Sequence, residues 1–310
     1  MPGRAEDKEE VMDKELLVIT AATGNIGRKV VEILLGRGRK VRAVARNEKN
    51  LEPLAKMGAE IFPGDVEDPA AVRKAFSGAQ AVFTLIPPKY SSENFRAYQN
   101  KVAENYAQAI ESSQIGHVVN LSSVGAHLAD KNGPIGGLHD AEKRISRIAG
   151  INVVHLRPAF FMENHFFTLG LIKEKGINGS ALKGDMPIPQ IATKDIAQAA
   201  AELLARLDFK GVSARELLGT RDVSMAEATR HLGKAIGKPE LPFVQFSHED
   251  TRKALEGMGV SADVSRLFVE MYEGFNNGTV KPTETRSPKN TTPTRIEDFA
   301  AEFAQVYNAN

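Results

Sequence analysis

The chain reads Leu16-Leu17-Val18-Ile19-Thr20-Ala21-Ala22-Thr23-Gly24-Asn25-Ile26-Gly27-Arg28 near its start, where a strand-like apolar run meets a segment with helical spacing. Gly24 lets the backbone come close to a bound group, and Gly27 lets the helix pack against the strand. The first turn of that helix supplies free amide donors and a partial positive charge, both of which favour phosphate. This order predicts a dinucleotide-binding turn rather than an ordinary strand-to-helix connection. Its candidate cofactor-binding residues are Thr23, Gly24, Asn25, Ile26 and Gly27.

Five more apolar runs follow the first, and helical or loop segments separate them. Such an alternation is typical of a parallel sheet that is covered on both faces. Six such units are the number expected for a complete doubly wound sheet. The runs occupy residues 16–20, 40–45, 59–62, 81–86, 117–121 and 151–156. The sequence therefore predicts the α/β class with a doubly wound, parallel Rossmann sheet.

The regular alternation of apolar runs and helical segments ends after Pro158. We predict a helix over residues 159–175, a loop-rich stretch over 176–190 and an Ala-rich helix capped by Thr193. A strand over 215–218 is expected to rejoin the sheet, and further helices follow it. The predicted domains are a leader (1–15), a Rossmann core (16–158, rejoined by 191–220) and a smaller, mostly helical substrate lobe (159–190 and 221–310).

Composition excludes several classes of function. Lys and Arg number 40 and Asp and Glu number 39, so the net charge gives no reason to expect nucleic acid or a membrane as partner. The absence of cysteine excludes disulfides and thiolate chemistry, and the seven histidines lack metal-ligand spacing, which predicts no metal. No apolar run approaches the ~20 residues that span a bilayer, and the first fifteen residues lack the apolar stretch of a signal peptide. We expect a cytoplasmic protein.

The end of the second apolar run discriminates between the two nicotinamide dinucleotides. An acidic residue there would bind the ribose hydroxyls of NAD and repel a 2′-phosphate. This run instead ends Ala45-Arg46-Asn47, with Arg42 and Lys49 nearby. A guanidinium can fork onto the 2′-phosphate and stack on adenine. Arg46 therefore favours NADP(H) over NAD(H), the alternative being a solvated arginine.

Residues that follow the third and fourth runs are further candidates for the cofactor site. Asp65, in Pro63-Gly64-Asp65-Val66, is placed to bind the adenine amino group, or else simply closes a turn. The fourth run is stopped by Pro87-Pro88. The additional candidate cofactor-binding residues are Asp65, Val66, Leu85, Ile86 and Pro87.

These motifs resemble the NmrA-like branch of the atypical short-chain dehydrogenases. The most specific of them is Leu156-Arg157-Pro158-Ala159-Phe160-Phe161-Met162-Glu163-Asn164, and the likeness covers roughly residues 16–206. The other motifs that carry it are residues 23–27, 44–47, 64–65 and 121–123. The resemblance implies an NAD(P)-binding Rossmann domain, a small C-terminal lobe and a substrate cleft between them. Members of the branch include quinone and triphenylmethane-dye reductases, and also dinucleotide-binding regulators.

The chain departs from the classical dehydrogenases at their Tyr-x-x-x-Lys pair. Members of the family often carry a glutamate four residues after that lysine, and Glu142 matches it. Counting back places Leu138 in the lysine position and Pro134 in the tyrosine position, and the shifted register His139…Lys143 also lacks the tyrosine. Ordinary alcohol oxidation is therefore not expected, since that tyrosine moves the proton. The candidate catalytic residues are His139, Ser123 and Tyr90, although a lone histidine or tyrosine near a loop is more often structural.

Aromatic residues gather where the nicotinamide and its substrate are expected. Five apolar residues are candidate substrate contacts, and any one of them could instead belong to the core. They are Phe160, Phe161, Met162, Phe243 and Tyr272. An apolar pocket with few polar groups suits a small, flat, aromatic ligand.

The sequence thus predicts an NADPH-dependent reductase of small aromatic or conjugated acceptors that works without the Tyr-Lys pair. The alternative is a redox-sensing regulator that binds NADP(H) with little turnover. A sugar-nucleotide epimerase is a third reading, which the absent tyrosine disfavours. A small apolar molecule is the expected partner, and a homo-oligomer or a regulatory protein partner stays open.

Overall fold

Parallel strands form the centre of the protein, as shown by a computed structural model that describes residues 15–309. In chain order the strands are β1 (Leu17–Ile19), β2 (Val41–Ala45), β3 (Glu60–Pro63), β4 (Ala81–Thr84), β5 (His117–Leu121), β6 (Asn152–Pro158), β7 (Phe160–Phe161), β8 (Asn178–Ser180), β9 (Pro187–Ile191), β10 (Val212–Leu217), β11 (Asp222–Ser224) and β12 (Phe243–Gln245). The helices are α1 (Asn25–Gly36), α2 (Glu48–Lys56), α3 (Pro69–Phe76), α4 (Phe95–Ser112), α5 (Gly136–Ile145), α6 (Leu169–Lys175), α7 (Thr193–Arg206), α8 (Met225–Ala235), α9 (His248–Gly257), α10 (Ala262–Asn276) and α11 (Ile296–Ala309).

Seven strands make the main sheet in the order β10-β6-β5-β4-β1-β2-β3, and all of their pairings are parallel. This is the doubly wound order with one strand added at the β6 edge, so the predicted fold is confirmed. The added strand is β10, and the prediction that this part of the chain rejoins the sheet is also confirmed. The strand begins at Val212, three residues before the predicted start.

The central strand explains why the apolar runs are continuous. Leu17, Val18 and Ile19 are all fully buried, because helices cover both faces of the sheet. Leu17 and Ile19 pack in a core with α1, α2 and α7, and Val18 packs in a second core with α3, α4 and α5. Alternate side chains of one strand therefore serve both cores.

The remaining strands form two small sheets, β11-β9-β7 and β12-β8. Helices α8 and α11 pack beside the first of these sheets around a separate apolar core that includes Phe299 and Phe303. Helix α10 lies against the 3₁₀ segment Gly133–Ile135, which directly precedes α5. The predicted boundary between core and lobe at residue 158 stays a prediction, and residues 1–14 of the predicted leader lie outside the described residues.

The predicted helix over residues 159–175 is wrong in its first half. Phe160 and Phe161 form β7, which pairs in parallel with Gln190 and Ile191 of β9. A 3₁₀ segment (Met162–Thr168) follows, and only α6 is α-helical. The loop predicted over 176–190 likewise contains β8 and most of β9. Pairing with distant strands has overridden the local helical pattern in both places.

The turn after β1 contains a strained residue. Ala21, at the position where such turns usually have their first glycine, has φ +49°. A Cβ added to Gly27 would lie 2.3 Å from the Ala21 carbonyl oxygen. Helix α1 therefore packs directly on the turn, and this close approach holds Ala21 in the left-handed region.

We expect Ala21→Gly to stabilise the fold by about 1 kcal/mol. Removing the Cβ of a left-handed residue relieves roughly 1–2 kcal/mol of strain, and glycine offsets part of that gain because it makes the unfolded chain more flexible. Urea unfolding measures the change. Ala22→Gly is the matched control: Ala22 is fully buried and has no positive φ, so the same substitution there should destabilise. A loss of stability in Ala21→Gly would contradict our conclusion that the backbone of Ala21 is strained.

Candidate functional site

Neighbouring strands β1 and β4 mark the point where the sheet order reverses, and ligands of doubly wound sheets bind beyond the carboxyl ends of such strands. The Thr20 hydroxyl joins the two strand ends. It donates to the Phe83 carbonyl at 3.0 Å and accepts the Leu85 amide at 2.9 Å. This side chain fixes the floor of the crevice.

The glycine turn forms one wall of that crevice. Gly24 precedes α1, and no side chain caps the first turn of the helix. Thr23, Gly24 and Asn25 are exposed, whereas Ile26 and Gly27 are buried and can offer a ligand only their backbone. Uncapped amides beside an exposed glycine fit the pyrophosphate of a dinucleotide.

The three cations at the end of β2 have different surroundings. Arg42 is held by Glu60 and by the carbonyls of Ala75 and Ser77 at 2.7–2.8 Å, so it is not free to bind a ligand. Arg46 is exposed and has no hydrogen bond or ion pair to any residue between 15 and 309. Lys49 is exposed in the first turn of α2.

Asp65 and Val66 follow β3 in a tight turn. One carboxylate oxygen of Asp65 accepts the Glu67 amide at 2.9 Å, and the side chain is exposed. Val66 is buried, and its carbonyl accepts the Asn105 side-chain amide at 2.9 Å. Asp65 thus closes the turn with one oxygen, and its contact with adenine stays a prediction.

Two tyrosines that sequence reasoning missed hold the segment after β4. Tyr106 donates to the Leu85 carbonyl at 2.8 Å, and Tyr98 donates to the Pro87 carbonyl at 2.7 Å. Burial raises the pKa of Tyr98 to about 12, and burial also raises the pKa of Tyr106. Both hydroxyls therefore remain donors at neutral pH. Leu85, Ile86 and Pro87 are half-buried along the crevice.

A buried ion pair supports the next two strand ends, and sequence reasoning missed this pair as well. Arg157 of β6 donates two hydrogen bonds to Glu142 of α5, at 2.9 and 2.5 Å. Ser122 donates to the same carboxylate at 2.5 Å. The Glu142 hydrogen bond is the main cause that raises the pKa of Arg157. Glu142, which the resemblance implied as a family position, thus ties α5 to β5 and β6.

Two of the three candidate catalytic residues, Ser123 and His139, lie beside Ser122 and on the helix of Glu142, respectively. The His139 Nδ1 is 2.8 Å from the buried Ala126 carbonyl, so it carries the proton there and leaves Nε2 free of this bond. Ser123 donates its hydroxyl proton to the Val124 carbonyl at 2.9 Å, so in this arrangement the hydroxyl is not free to donate to a substrate. Tyr90 is 37% exposed and packs on Phe268.

The tyrosine and lysine positions hold no replacement acid. Pro134 lies in the 3₁₀ segment and Leu138 in the first turn of α5. The Pro134 carbonyl accepts the Gln99 side-chain amide at 3.0 Å. An acid must therefore come from another residue or from solvent.

Three of the five predicted substrate residues share one apolar cluster. Phe160, Phe243 and Tyr272 are half-buried around Leu182, Ile188 and Met225, together with Met186 and Phe275. We call this set the lobe cluster. Phe161 packs instead against the core of the main sheet.

Met162 lies apart from the lobe cluster, and its contact with a substrate stays a prediction. Its side chain is 1% exposed and packs in the core around Phe299. The neighbouring Glu163 accepts the Thr193 amide at 2.9 and 3.0 Å, so it caps α7. Burial raises the pKa of Glu163, against the effect of the Thr193 hydrogen bonds. This part of the motif therefore joins the lobe to α7.

Residues 15–309 contain no group of three or more Asp, Glu and His side chains that could hold a metal ion. None of the helices in this part of the chain is long and apolar enough to cross a membrane. The cytoplasmic location stays a prediction.

Comparison with known proteins adds to this geometry. The model of the NAD(P)H-binding family matches residues 21–206. An NAD(P)H azoreductase from Xenophilus azovorans is 25% identical over 257 residues, which are 83% of this chain and 86% of that protein.

Two solved structures have a similar fold. The NADPH-dependent quinone oxidoreductase from Escherichia coli, complexed with NADPH, superposes with a TM-score of 0.77 at 22% identity, covering 92% of this chain and 99% of that one. The triphenylmethane reductase from Citrobacter sp., complexed with NADP(H), superposes with a TM-score of 0.77 at 21% identity, covering 93% and 99%. At these identities the likeness establishes the fold.

Proposed function

We propose, from the premise that this chain belongs to the NAD(P)H-binding family, that it transfers a hydride from NADPH to a small aromatic or conjugated acceptor. That it is an NAD(P)H-dependent oxidoreductase follows from the family together with its azoreductase and quinone oxidoreductase relatives. The acceptor class and the preference for NADPH are our proposals. The lobe cluster carries the first of them, because half-buried aromatic side chains with few polar neighbours favour flat apolar ligands.

The chain has a suitable group for each part of the cofactor. The uncapped amides of α1 and the exposed Gly24 would hold the pyrophosphate, and Arg46 would bind the 2′-phosphate. The nicotinamide, when bound, supplies the hydride. The hydroxyls of two tyrosines hold the carbonyls of Leu85 and Pro87. These two residues would line the route toward the nicotinamide.

The work left to the protein is mainly positioning. Neither Pro134 nor Leu138 can move a proton, so acceptors that need a strong acid are poor substrates. A conjugated acceptor can react chiefly because it is held at the right distance and angle. We propose that His139 supplies the remaining proton from Nε2 when both ring nitrogens are protonated, because its Nδ1–H stays bonded to the Ala126 carbonyl.

The first test is turnover. The purified protein should consume NADPH in the presence of a quinone, an azo dye or a triphenylmethane dye, followed by the near-ultraviolet absorbance of NADPH, and should not oxidise simple secondary alcohols. Gly24→Val is the control, since its side chain would stand where the pyrophosphate approaches and should abolish binding. Tight NADPH binding without turnover on any acceptor would favour the redox-sensing regulator instead.

A second test addresses the choice of cofactor. Arg46→Ala should weaken NADPH binding by ~1.5–3 kcal/mol, the range for a hydrogen bond to a charged group, and should leave NADH binding nearly unchanged. Calorimetry with both cofactors measures this. Lys56→Ala removes the same charge at the far end of α2 and should alter neither affinity. An equal loss for both cofactors, or tighter NADH than NADPH binding by the parent protein, would overturn the assignment.

The proton donor can be tested separately. His139→Phe keeps the bulk of the ring and removes its only titratable group, so kcat should fall by ~10²-fold, the usual scale for general-acid catalysis. The dissociation constant for NADPH should stay the same. Loss of the hydrogen bond to Ala126 should also cost about 1 kcal/mol of stability. An unchanged kcat would assign the proton to solvent and leave His139 a structural role.

A further inference from the structure

The hydroxyl of Tyr272 has no hydrogen-bond partner among residues 15–309, although its ring packs in the lobe cluster. Tyr272 is half-buried, and its hydroxyl is not one of the fully enclosed side-chain atoms that lack a partner, whereas the hydroxyls of Tyr98 and Tyr106 donate to backbone carbonyls. Burial raises the pKa of Tyr272 to about 12, so the phenol stays protonated and can donate. A phenol that is set in an apolar wall and engaged by no protein atom is therefore available to donate to a ligand.

The surroundings of Tyr272 place it above the carboxyl ends of the central strands. On one side its ring is 6.2 Å from Phe268, which in turn is 5.9 Å from Tyr90 in the segment after β4. On the other side it shares the lobe cluster with Phe160, which follows β6. Strand β5 lies between β4 and β6. Tyr272 is therefore flanked by residues that follow β4 on one side and by a residue that follows β6 on the other, and we take it to face the acceptor end of the crevice.

Helix α10 reaches this region because it packs against the segment that has lost the classical tyrosine. Gly133, next to Pro134, has φ +59°, and a Cβ there would lie 2.0 Å from the Leu267 carbonyl oxygen and 2.9 Å from the Met271 Cβ. No other residue type fits this contact. Tyr272 follows Met271 in the helix and so borders the same contact. The lobe thus brings a phenol close to the position from which the core has lost one.

We infer that the Tyr272 hydroxyl donates a hydrogen bond to the acceptor atom on which negative charge develops, and so selects acceptors with a conjugated carbonyl oxygen or an imine-like or azo nitrogen. This inference rests on the proposed function. With a quinone, a bound reduced nicotinamide would supply the hydride: its C–H bond would break, a new bond to the acceptor would form, and the displaced π-electron pair would move onto oxygen, leaving oxidised nicotinamide and a quinol anion. The phenol stabilises that oxygen until it takes a proton from His139 or from solvent. A phenol with a raised pKa suits holding the charge better than giving up its own proton.

The chemistry of a second acceptor class separates this role from simple packing. A triphenylmethane dye is a carbocation, so the added hydride neutralises it and no anion forms. A hydrogen-bond donor therefore cannot assist that reaction. The hydroxyl should matter for a quinone and not for the dye, whereas the apolar ring should matter for both.

The decisive variant is Tyr272→Phe, which removes only the hydroxyl. For a quinone, kcat/KM should fall by ~10²-fold, the scale for loss of one donor to a developing anion, and for a triphenylmethane dye it should stay within about twofold of the parent value. Affinity for NADPH should not change. Tyr307→Phe is the matched control, because that ring lies on α11 beside Lys173 and Lys238, and it should leave both reactions unchanged. Equal loss with both acceptors, or no loss with the quinone, would overturn the inference.

A binding experiment tests the same hydroxyl without turnover. In the presence of NADP⁺, 4-nitrophenolate presents an anionic oxygen, and 4-nitroanisole is its neutral counterpart. Tyr272→Phe should bind the phenolate about tenfold or more weakly, as expected for loss of a hydrogen bond to a charged group, and should bind the anisole as the parent does. If the parent protein reduced no acceptor, the proposed function would fail, yet this comparison would still decide whether Tyr272 recognises an anionic oxygen. Equal phenolate affinities would overturn that role.

Discussion

The approach of α1 to the turn after β1 is the constraint on which the rest of the site depends. Only a residue without Cβ fits at Gly27, because the Ala21 carbonyl lies where that atom would be. The contact directs the uncapped amides of the helix at the point where the sheet order reverses. Thr20 holds the ends of β1 and β4 together at the same point. The phosphate site that we propose would therefore be built from backbone geometry alone, with the strained Ala21 as the cost of that geometry.

The polar side chains around the crevice divide into those that build it and those left free for a ligand. Thr20, Tyr98 and Tyr106 bind the backbone of the strand ends, and Arg157 binds Glu142 beneath them. These groups make a rigid floor, because each buried donor has its acceptor. A polar side chain that has no partner within the protein is, by contrast, available to bind a ligand. Arg46 at the adenosine end and Tyr272 at the nicotinamide end are the two on which our functional proposals depend.

The sequence predicted the structure where it depends on neighbouring residues, and it failed where the interacting residues lie far apart in the chain. The glycine turn and the apolar runs predicted the sheet, since each depends on neighbouring residues. The predicted helix at Phe160 failed because β7 pairs with Ile191, and Glu163 reaches Thr193, each 30 residues along the chain. Arg42 and Arg46 look equivalent in sequence, yet only the packing of Arg42 against Ala75 removes it from the site. The residue on which our further inference depends was the least predictable, because Tyr272 lies on a helix that no local motif connects to the crevice.

The two halves of the site are therefore specified in different ways. The cofactor half is encoded in short motifs at the ends of consecutive strands, whereas the acceptor half is assembled when α10 packs on Gly133. That contact leaves no room for a methyl group, so the position of Tyr272 relative to the strand ends depends on close packing rather than on a hydrogen bond. Close-packed contacts transmit small displacements, and hydride transfer is sensitive to distance. A protein without the Tyr-Lys pair can then gain selectivity among acceptors from the lobe, while the Rossmann core keeps its role of holding the dinucleotide.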